Sequence, residues 1–427
     1  MMMVNTLSVM RRVMVTPSSS LIRPASLLCT TGGSYRHTQQ LLNTRRQDRN
    51  FSSSQMMLGR SLLDRLADGG VVIGDGSFVF TLEKRGYVSV GSWTPEAAAL
   101  YPEAVRQLHR EYLRAGSDVM QTFTFYCSDD KIQFDKDLAQ NANQSHRHNL
   151  TSAEINNSAC DLAREVADEG DALVAGSLSP LPAYVEKKSK AYIQEEFRKQ
   201  CEVYVEKGAD FLLGEFYAHV EEAEWAIETM KEFNKPVACT MRICTVGDMD
   251  GVSPGDCAVR MAKAGADVVG VNCMYDPDIS LKTLSLMKDG LKSAGLKTYL
   301  MAQPVGFHTQ EIDSNPEGYI ALPEFPFAME PRLLTRIDVQ NFARKAFELG
   351  VQYLGGCCGF EPYHIRAIAE ELSQERGKRP PGAAMSPGVE GLKLSFYEEQ
   401  RKKANVDYWN NLTPAAGRMN VKKVVTQ

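Results

Sequence analysis

With 427 residues, 43% hydrophobic and 24% charged, the chain has the composition of an ordinary globular protein and the length for one large α/β domain with extensions. Its formal charge of −5 is unevenly spread, because residues 1–51 hold seven arginines, no lysine and Asp48 alone among acids, a local +6 that leaves −11 for the rest. So acidic a body argues against nucleic-acid binding, and no apolar run approaches the roughly 18 to 20 residues of a membrane span, so a small-molecule substrate is expected.

The opening segment, 1–55, is rich in Met, Arg, Ser and Thr, with apolar residues interleaved with Arg11, Arg12 and Arg23. This is the composition of a mitochondrial transit peptide, and Arg49-Asn50-Phe51-Ser52 resembles the sites at which such peptides are cut. The expected location is the mitochondrial matrix; a disordered tail on a cytoplasmic protein is the alternative.

From Val71 onward, short β-branched or apolar runs alternate with longer helical patterns. The runs fall at 71–75, 118–125, 172–177, 210–216, 236–243, 267–273, 298–304 and 352–358. Helical patterns at 95–115, 192–208, 254–265 and 339–350 lie between them, several ending in glycine just before the next strand. Eight βα units predict an α/β fold, a closed (β/α)8 TIM barrel over 58–376. The polar stretch 129–150 reads as a loop near the barrel mouth. The Pro- and Gly-rich segment 377–391 reads as a linker, and 396–411 as a helix whose Tyr397, Tyr408 and Trp409 need a surface to pack on. Residues 377–427 thus form a C-terminal helical extension, a candidate oligomerisation arm.

Barrels of this kind build their sites at the carboxyl ends of the strands. Asp75 ends the first run, Tyr126 follows the second, Glu215 ends the fourth, Cys273 the sixth, and Cys357 and Cys358 the eighth. The ten cysteines show no disulfide spacing, and a chain this long does not need such staples. Core packing competes as the role of any single cysteine, but three thiolates on one rim can hold Zn²⁺ tetrahedrally and leave one position open, as catalytic zinc requires. Among the histidines, His364 suits packing or support of the site, whereas His109 and His219 read as ordinary helix residues.

The segments IGDGSFVFTLEKRGYV, EAVRQLHREYLRAGSDVMQTFTFY, ADEGDALVAGS, GVNC, LPEFPF and GGCCGFEPYHIRAIAEE carry a resemblance. From Ile73 to the helix after the eighth strand, and more weakly from Tyr408 to Arg418, the chain resembles the betaine-homocysteine S-methyltransferases of the homocysteine S-methyltransferase family. The resemblance implies that Cys273, Cys357 and Cys358 bind zinc and that the homocysteine sulfur takes the fourth place. It implies that Asp75 and Glu215 meet the amino-acid end of homocysteine, with backbone groups of Gly76 and Ser77 on its carboxylate. Ser77 replaces the family's usual second glycine, a change costing about 1 kcal/mol if φ is positive there. Trp93 and Tyr126 match the family's aromatic contacts to betaine, a quaternary ammonium held best by aromatic faces. The family's Glu-Tyr pair reads Glu215-Phe216-Tyr217, so Phe216 keeps a π face without the hydroxyl, and Tyr217 would need a changed backbone to substitute.

The activity implied is zinc-dependent methyl transfer from betaine to homocysteine, giving methionine and dimethylglycine, by a homo-oligomer, dimer or tetramer. S-methylmethionine or another sulfonium donor on the same site is the alternative, and a catalytically silent zinc-binding barrel a third reading.

Overall fold

A computed structural model of the chain describes residues 61–67, 69–88, 94–141 and 149–385. The leader 1–55, Trp93 and the helix expected at 396–411 lie outside the described residues.

Eight parallel strands form the barrel: β1 (Val72–Ile73), β2 (Val119–Gln121), β3 (Leu173–Leu178), β4 (Phe211–Tyr217), β5 (Val237–Met241), β6 (Val268–Asn272), β7 (Tyr299–Gln303) and β8 (Tyr353–Leu354). They pair in the order β1-β8-β7-β6-β5-β4-β3-β2. Each is followed by a barrel helix: α1 (Pro102–Ala115), α2 (Ser152–Ala167), α3 (Lys190–Glu206), α4 (Val220–Lys231), α5 (Pro254–Ala264), α6 (Pro277–Ser293), α7 (Arg336–Leu349) and α8 (Pro362–Glu371). The eight expected units are therefore present, and the fold is a (β/α)8 barrel.

Side-chain alternation along the strands separates two cores. Val72, Val119, Leu173, Ala175, Phe211, Leu213, Ala238, Val268, Met301 and Tyr353 cluster inside the barrel, where Leu62 and Leu66 of the short helix Leu62–Ala67 join them. Ile73, Met120, Val174, Leu212, Val237, Val269 and Leu354 join the larger layer between strands and helices.

The seam between β1 and β2 is closed differently from the other seven. Asp118 N donates to Ile73 O at 2.6 Å, and the Asp118 carboxylate accepts from Ile73 N at 2.9 Å. One turn higher, Gln121 N donates to Asp75 Oδ2 at 3.0 Å. Two carboxylates thus bridge a seam between two short strands.

Three expectations change in detail. The helix at 95–115 is broken into Ala97–Leu100 and α1, because Tyr101 precedes Pro102 and takes φ −132°, ψ 54°. The second strand stops at Gln121, since the next residues fold over the rim, with Thr122 N on Ala175 O and Tyr126 at φ 58°. The loop expected at 129–150 is a helix over Asp129–Asn141, opened by two acids and supported by Lys131–Asp135 and Gln133–Asp137 pairs one turn apart.

Candidate active site

The inward alternation that gives apolar residues lower in the barrel gives polar ones at its top. Gln121, Ser177, Glu215, Asn272 and Gln303 form a layer tied by side-chain hydrogen bonds. Gln121 Nε2 donates to Glu215 Oε1 at 2.6 Å and to Ser177 Oγ at 3.1 Å. Ser177 Oγ donates to the same Glu215 oxygen at 2.9 Å, and Asn272 Nδ2 donates to Oε2 at 3.2 Å. Glu215 is therefore fixed by three strands besides its own.

Burial raises Glu215 and the neighbouring Asp75. Asp75 lies well above the ordinary carboxylate range because it is desolvated, against the hydrogen bond from Gln121 N and with the charge of Glu215 adding to the rise. Desolvation pushes Glu215 up to about 7 despite its bonds to Ser177 and Gln121. Two buried carboxyls that resist ionisation suit a cationic guest, whose charge would replace the lost hydration.

Beside Asp75 the chain passes through Gly76 and Ser77. A Cβ on Gly76 would stand 2.6 Å from Phe360 O, so only glycine fits. The Gly76 N–H has no partner among the described residues, whereas Ser77 N donates to Phe360 O at 2.8 Å. Ser77 is absent from the positive-φ residues, so the serine carries no left-handed strain. With its N–H occupied, Ser77 can meet a carboxylate only through its hydroxyl.

Cys273 follows β6 directly, while Cys357 and Cys358 follow β8 across the turn Gly355-Gly356. Gly356 N donates to Asp75 O at 3.0 Å, and a Cβ there would fall 2.0 Å from the Phe360 ring. Cys273 N donates to Gln303 O and Cys357 N to Pro304 O, which anchors both cysteine turns to β7 and the residue after it. The three sulfurs lie within 4.8 Å of one another, with Cys273 and Cys358 3.7 Å apart. Four ligands in a tetrahedron with bonds of about 2.3 Å sit roughly 3.8 Å from each other, so the trio fits a zinc ion. Cys358 is the acidic member, held well below an ordinary thiol by hydrogen bonds from Cys273 and Cys357 and also by the Tyr319 hydroxyl. Burial raises Cys273 well above the usual value. Cys127, Cys160, Cys201, Cys239, Cys244 and Cys257 are buried free thiols elsewhere.

An aromatic patch adjoins the cysteines. Phe216 sits at φ 71°, beyond a register shift between Gly214 and Tyr217 in the β4–β5 pairing, and its N–H donates to Asn272 Oδ1 at 2.8 Å. Phe125 links Phe216, 5.4 Å away edge-on, to Tyr126, 4.4 Å away. The bulge does not bring Tyr217 into the site. That ring packs 6.3 Å from Phe197 of α3, and its buried hydroxyl has no hydrogen-bond partner among the described residues. Tyr126, Phe216, Cys273 and Met274 all have positive φ at strand ends around this rim, a concentration of strain typical of functional sites.

Comparison with known proteins fits this geometry. The homocysteine S-methyltransferase family model matches residues 72–372. The betaine-homocysteine S-methyltransferase 1 of Mus musculus is 55% identical over 361 residues, 84% of this chain and 86% of that protein. The chain belongs to the homocysteine S-methyltransferase family. The Danio rerio betaine-homocysteine S-methyltransferase 1 is also 55% identical, covering 84% of this chain and 87% of its own. An S-methylmethionine-homocysteine S-methyltransferase of Pongo abelii is 54% identical, covering 84% and 94%. The metallated form of a homocysteine methyltransferase from Escherichia coli shares the fold, with a TM-score of 0.54, 20% identity and coverage of 72% of this chain and 98% of that one.

In this member of the homocysteine S-methyltransferase family, Asp75, Gly76, Ser77, Tyr126, Glu215, Phe216, Cys273, Cys357 and Cys358 converge on one rim, and Trp93 lies outside the described residues. His364 spans Glu361 N at 3.0 Å and Leu334 O at 2.8 Å, a structural brace on the helix after the cysteines. His219 faces Asp250 at 2.7 Å, and His109 packs on Phe78 with no hydrogen-bond partner among the described residues, held down to about 3 by desolvation.

Sequence reading missed Gln121, Ser177, Asn272, Gln303, Tyr319 and Arg242. The first four carried a signal, since each is a polar residue at an inward position of an otherwise apolar strand. Tyr319 lies on the 3-10 turn Gly318–Ala321 in the segment between β7 and α7, where no periodicity marks it. Arg242, one residue past β5, stands with its guanidinium carbon 5.4 Å from the centre of the Phe216 ring.

Proposed function

We propose that this protein transfers a methyl group from betaine to the thiol of L-homocysteine, with Zn²⁺ held by Cys273, Cys357 and Cys358. The observation that carries the reading is three sulfurs within 4.8 Å beside the buried pair Asp75 and Glu215, in a chain of this family. Zinc bound there would accept a fourth sulfur ligand and lower the pKa of its thiol. Asp75 and Glu215 receive the substrate ammonium, and Gly76 N–H with the Ser77 hydroxyl receives its carboxylate. Tyr126, Phe216 and Trp93 offer faces to the donor's trimethylammonium group. With both reactants held in line, the sulfur forms its bond to the methyl carbon as the carbon–nitrogen bond breaks. The electron pair remains on nitrogen, giving methionine and dimethylglycine, and the thiol proton is lost to solvent.

A sulfonium donor is the second reading, favoured by the missing hydroxyl at Phe216 and by the 54% identity to the S-methylmethionine-dependent relative. Assay of purified, zinc-loaded protein separates the two. Dimethylglycine formed in step with methionine supports betaine; turnover with S-methylmethionine alone transfers the reading to the sulfonium donor, and turnover with neither leaves a silent barrel.

The composition of residues 1–55 supports a mitochondrial address, tested by fusing residues 1–60 to a fluorescent reporter; diffuse cytosolic signal rejects it. The homo-oligomer implied by the family resemblance is tested by light scattering, where a monomeric mass rejects it.

A further inference from the structure

The aromatic patch carries a positive charge that the reaction as described does not use. Arg242 is half-buried, and its backbone N–H donates to Tyr217 O at 2.9 Å, so the base of its side chain is fixed by the β4 bulge. Its guanidinium lies over the Phe216 ring at 5.4 Å and makes no ion pair within 4 Å among the described residues. Arg332, between β7 and α7, is by contrast matched by Glu311 and Glu324. Three side chains feel the Arg242 charge, because it lowers the Tyr126, Tyr275 and Glu222 ionisations that burial otherwise raises. Arg242 therefore stands beside Phe216, within electrostatic reach of Tyr126 and Tyr275 and of the buried Glu222.

We propose that Arg242 is the anion-binding residue of the donor subsite, taking the carboxylate of a zwitterionic onium donor while the aromatic patch and the cysteine side receive its methylated cation. The assignment rests on the reading of betaine as donor and adds to it the group that meets betaine's negative end. Asp75, Glu215 and the three cysteines place acidic groups at this rim, and the Arg242 guanidinium beside Phe216 places a positive charge there. A zwitterion aligns along that polarity with its methyl groups toward the cysteines, whereas an onium ion without a carboxylate gains nothing from Arg242 and is repelled by it. The planar fork of arginine also matches a carboxylate in two-point contact, a match that lysine does not reproduce. The subsite thus discriminates by charge at the far end of the donor, a role that Phe216 cannot fill.

The test compares the full-length enzyme with Arg242→Gln and Arg242→Lys. For Arg242→Gln the KM for betaine should rise about 10- to 100-fold, the loss expected for a hydrogen-bonded charge contact. The KM for homocysteine and the bound-zinc stoichiometry should stay within about twofold, since neither substrate sulfur nor metal meets this residue. Arg242→Lys should recover part of the loss. Inhibition by dimethylglycine should weaken in Arg242→Gln, while inhibition by dimethylaminoethanol, which lacks the carboxylate, should not. Unchanged betaine KM in Arg242→Gln, with betaine turned over by the wild type, overturns the assignment and spares the donor. A parallel rise in homocysteine KM overturns it as well. Absence of betaine turnover by the wild type overturns the donor reading, and this assignment with it.

Discussion

Asn272 Nδ2 donates to Glu215 Oε2 at 3.2 Å, and the residue that follows Asn272 is Cys273. The same amide accepts through Oδ1 from Phe216 N at 2.8 Å and from Thr240 Oγ1 at 2.9 Å. One side chain therefore sets the spacing between Glu215, the aromatic patch and Cys273. An amide can do this because it offers a donor and an acceptor at once.

Replacing Asn272 with Leu removes both. Glu215 then loses a donor, and the Phe216 N–H, held at positive φ, loses its acceptor. The KM for homocysteine should rise about tenfold or more, the usual cost of a lost bond to a charged group. Zinc stoichiometry should remain near that of the wild type, because the cysteine backbones are anchored independently by Gln303 O and Pro304 O. Steady-state kinetics together with elemental analysis checks both parts, and an unchanged KM would show that Glu215 is held well enough by Gln121 and Ser177.

The pH profile follows from Glu215. Its folded value, about 7, lies above the ordinary 4.5, so it is protonated in slightly acidic solution and ionised above neutrality. An ionised Glu215 attracts the homocysteine ammonium, so kcat/KM for homocysteine should rise with pH through about 7. Glu215→Gln should flatten that limb at a lower plateau. The stability sign is the reverse: the folded state binds this proton more tightly than the unfolded chain. Its contribution is therefore full below 4.5 and is lost as pH rises to about 7. Melting of the ligand-free protein across that interval should fall in the wild type and less so in Glu215→Gln.

Cys358→Ala tests the metal centre. Residues that merely support metal ligands change activity or affinity by about 10- to 100-fold, so loss of a ligand should exceed that and leave little bound zinc. Dialysis against a chelator should abolish activity, and Zn²⁺ should restore it where Mg²⁺ does not, because a site of three sulfurs disfavours hard cations. Full methyl transfer by Cys358→Ala contradicts the mechanism.

Much of this architecture can be read from single residues. Glu215 continues the inward series Phe211, Leu213, and the three cysteines end strands whose runs are plain in the sequence. Period two alone does not place the residues that follow: the shift between Gly214 and Tyr217 sets Phe216 at the rim and Tyr217 against α3. The helix Asp129–Asn141 escaped because it is polar on most of its surface and held by charge pairs one turn apart rather than by an apolar stripe. Tyr319 and Arg242 lie outside the strands and barrel helices, and only tertiary placement brings them to the site.

Asp118 makes a prediction about the barrel itself. Its carboxylate accepts from Ile73 N at 2.9 Å, Arg376 Nη2 at 2.8 Å and Lys378 Nζ at 2.7 Å, across the seam where β1 and β2 form no ladder. Burial alone would raise Asp118, but Arg376 and Lys378 outweigh it and hold it below the ordinary value of 3.8. The Arg376 side chain is 1% exposed, and its Nε and Nη1 have no partners among the described residues, so removing the opposing charge leaves a buried guanidinium with no anion against it. Asp118→Asn should therefore cost about 3 to 5 kcal/mol at neutral pH, the usual penalty for breaking a buried pair. Because the folded value is depressed, this stabilisation is complete above 3.8 and disappears as pH falls through the lower folded value. Urea unfolding should show a wide gap between wild type and Asp118→Asn at pH 7 that narrows in strong acid. A gap below about 1 kcal/mol at pH 7 would mean that Arg376 swings to water and that the Asp118 backbone and the Gln121–Asp75 bond suffice to hold the seam.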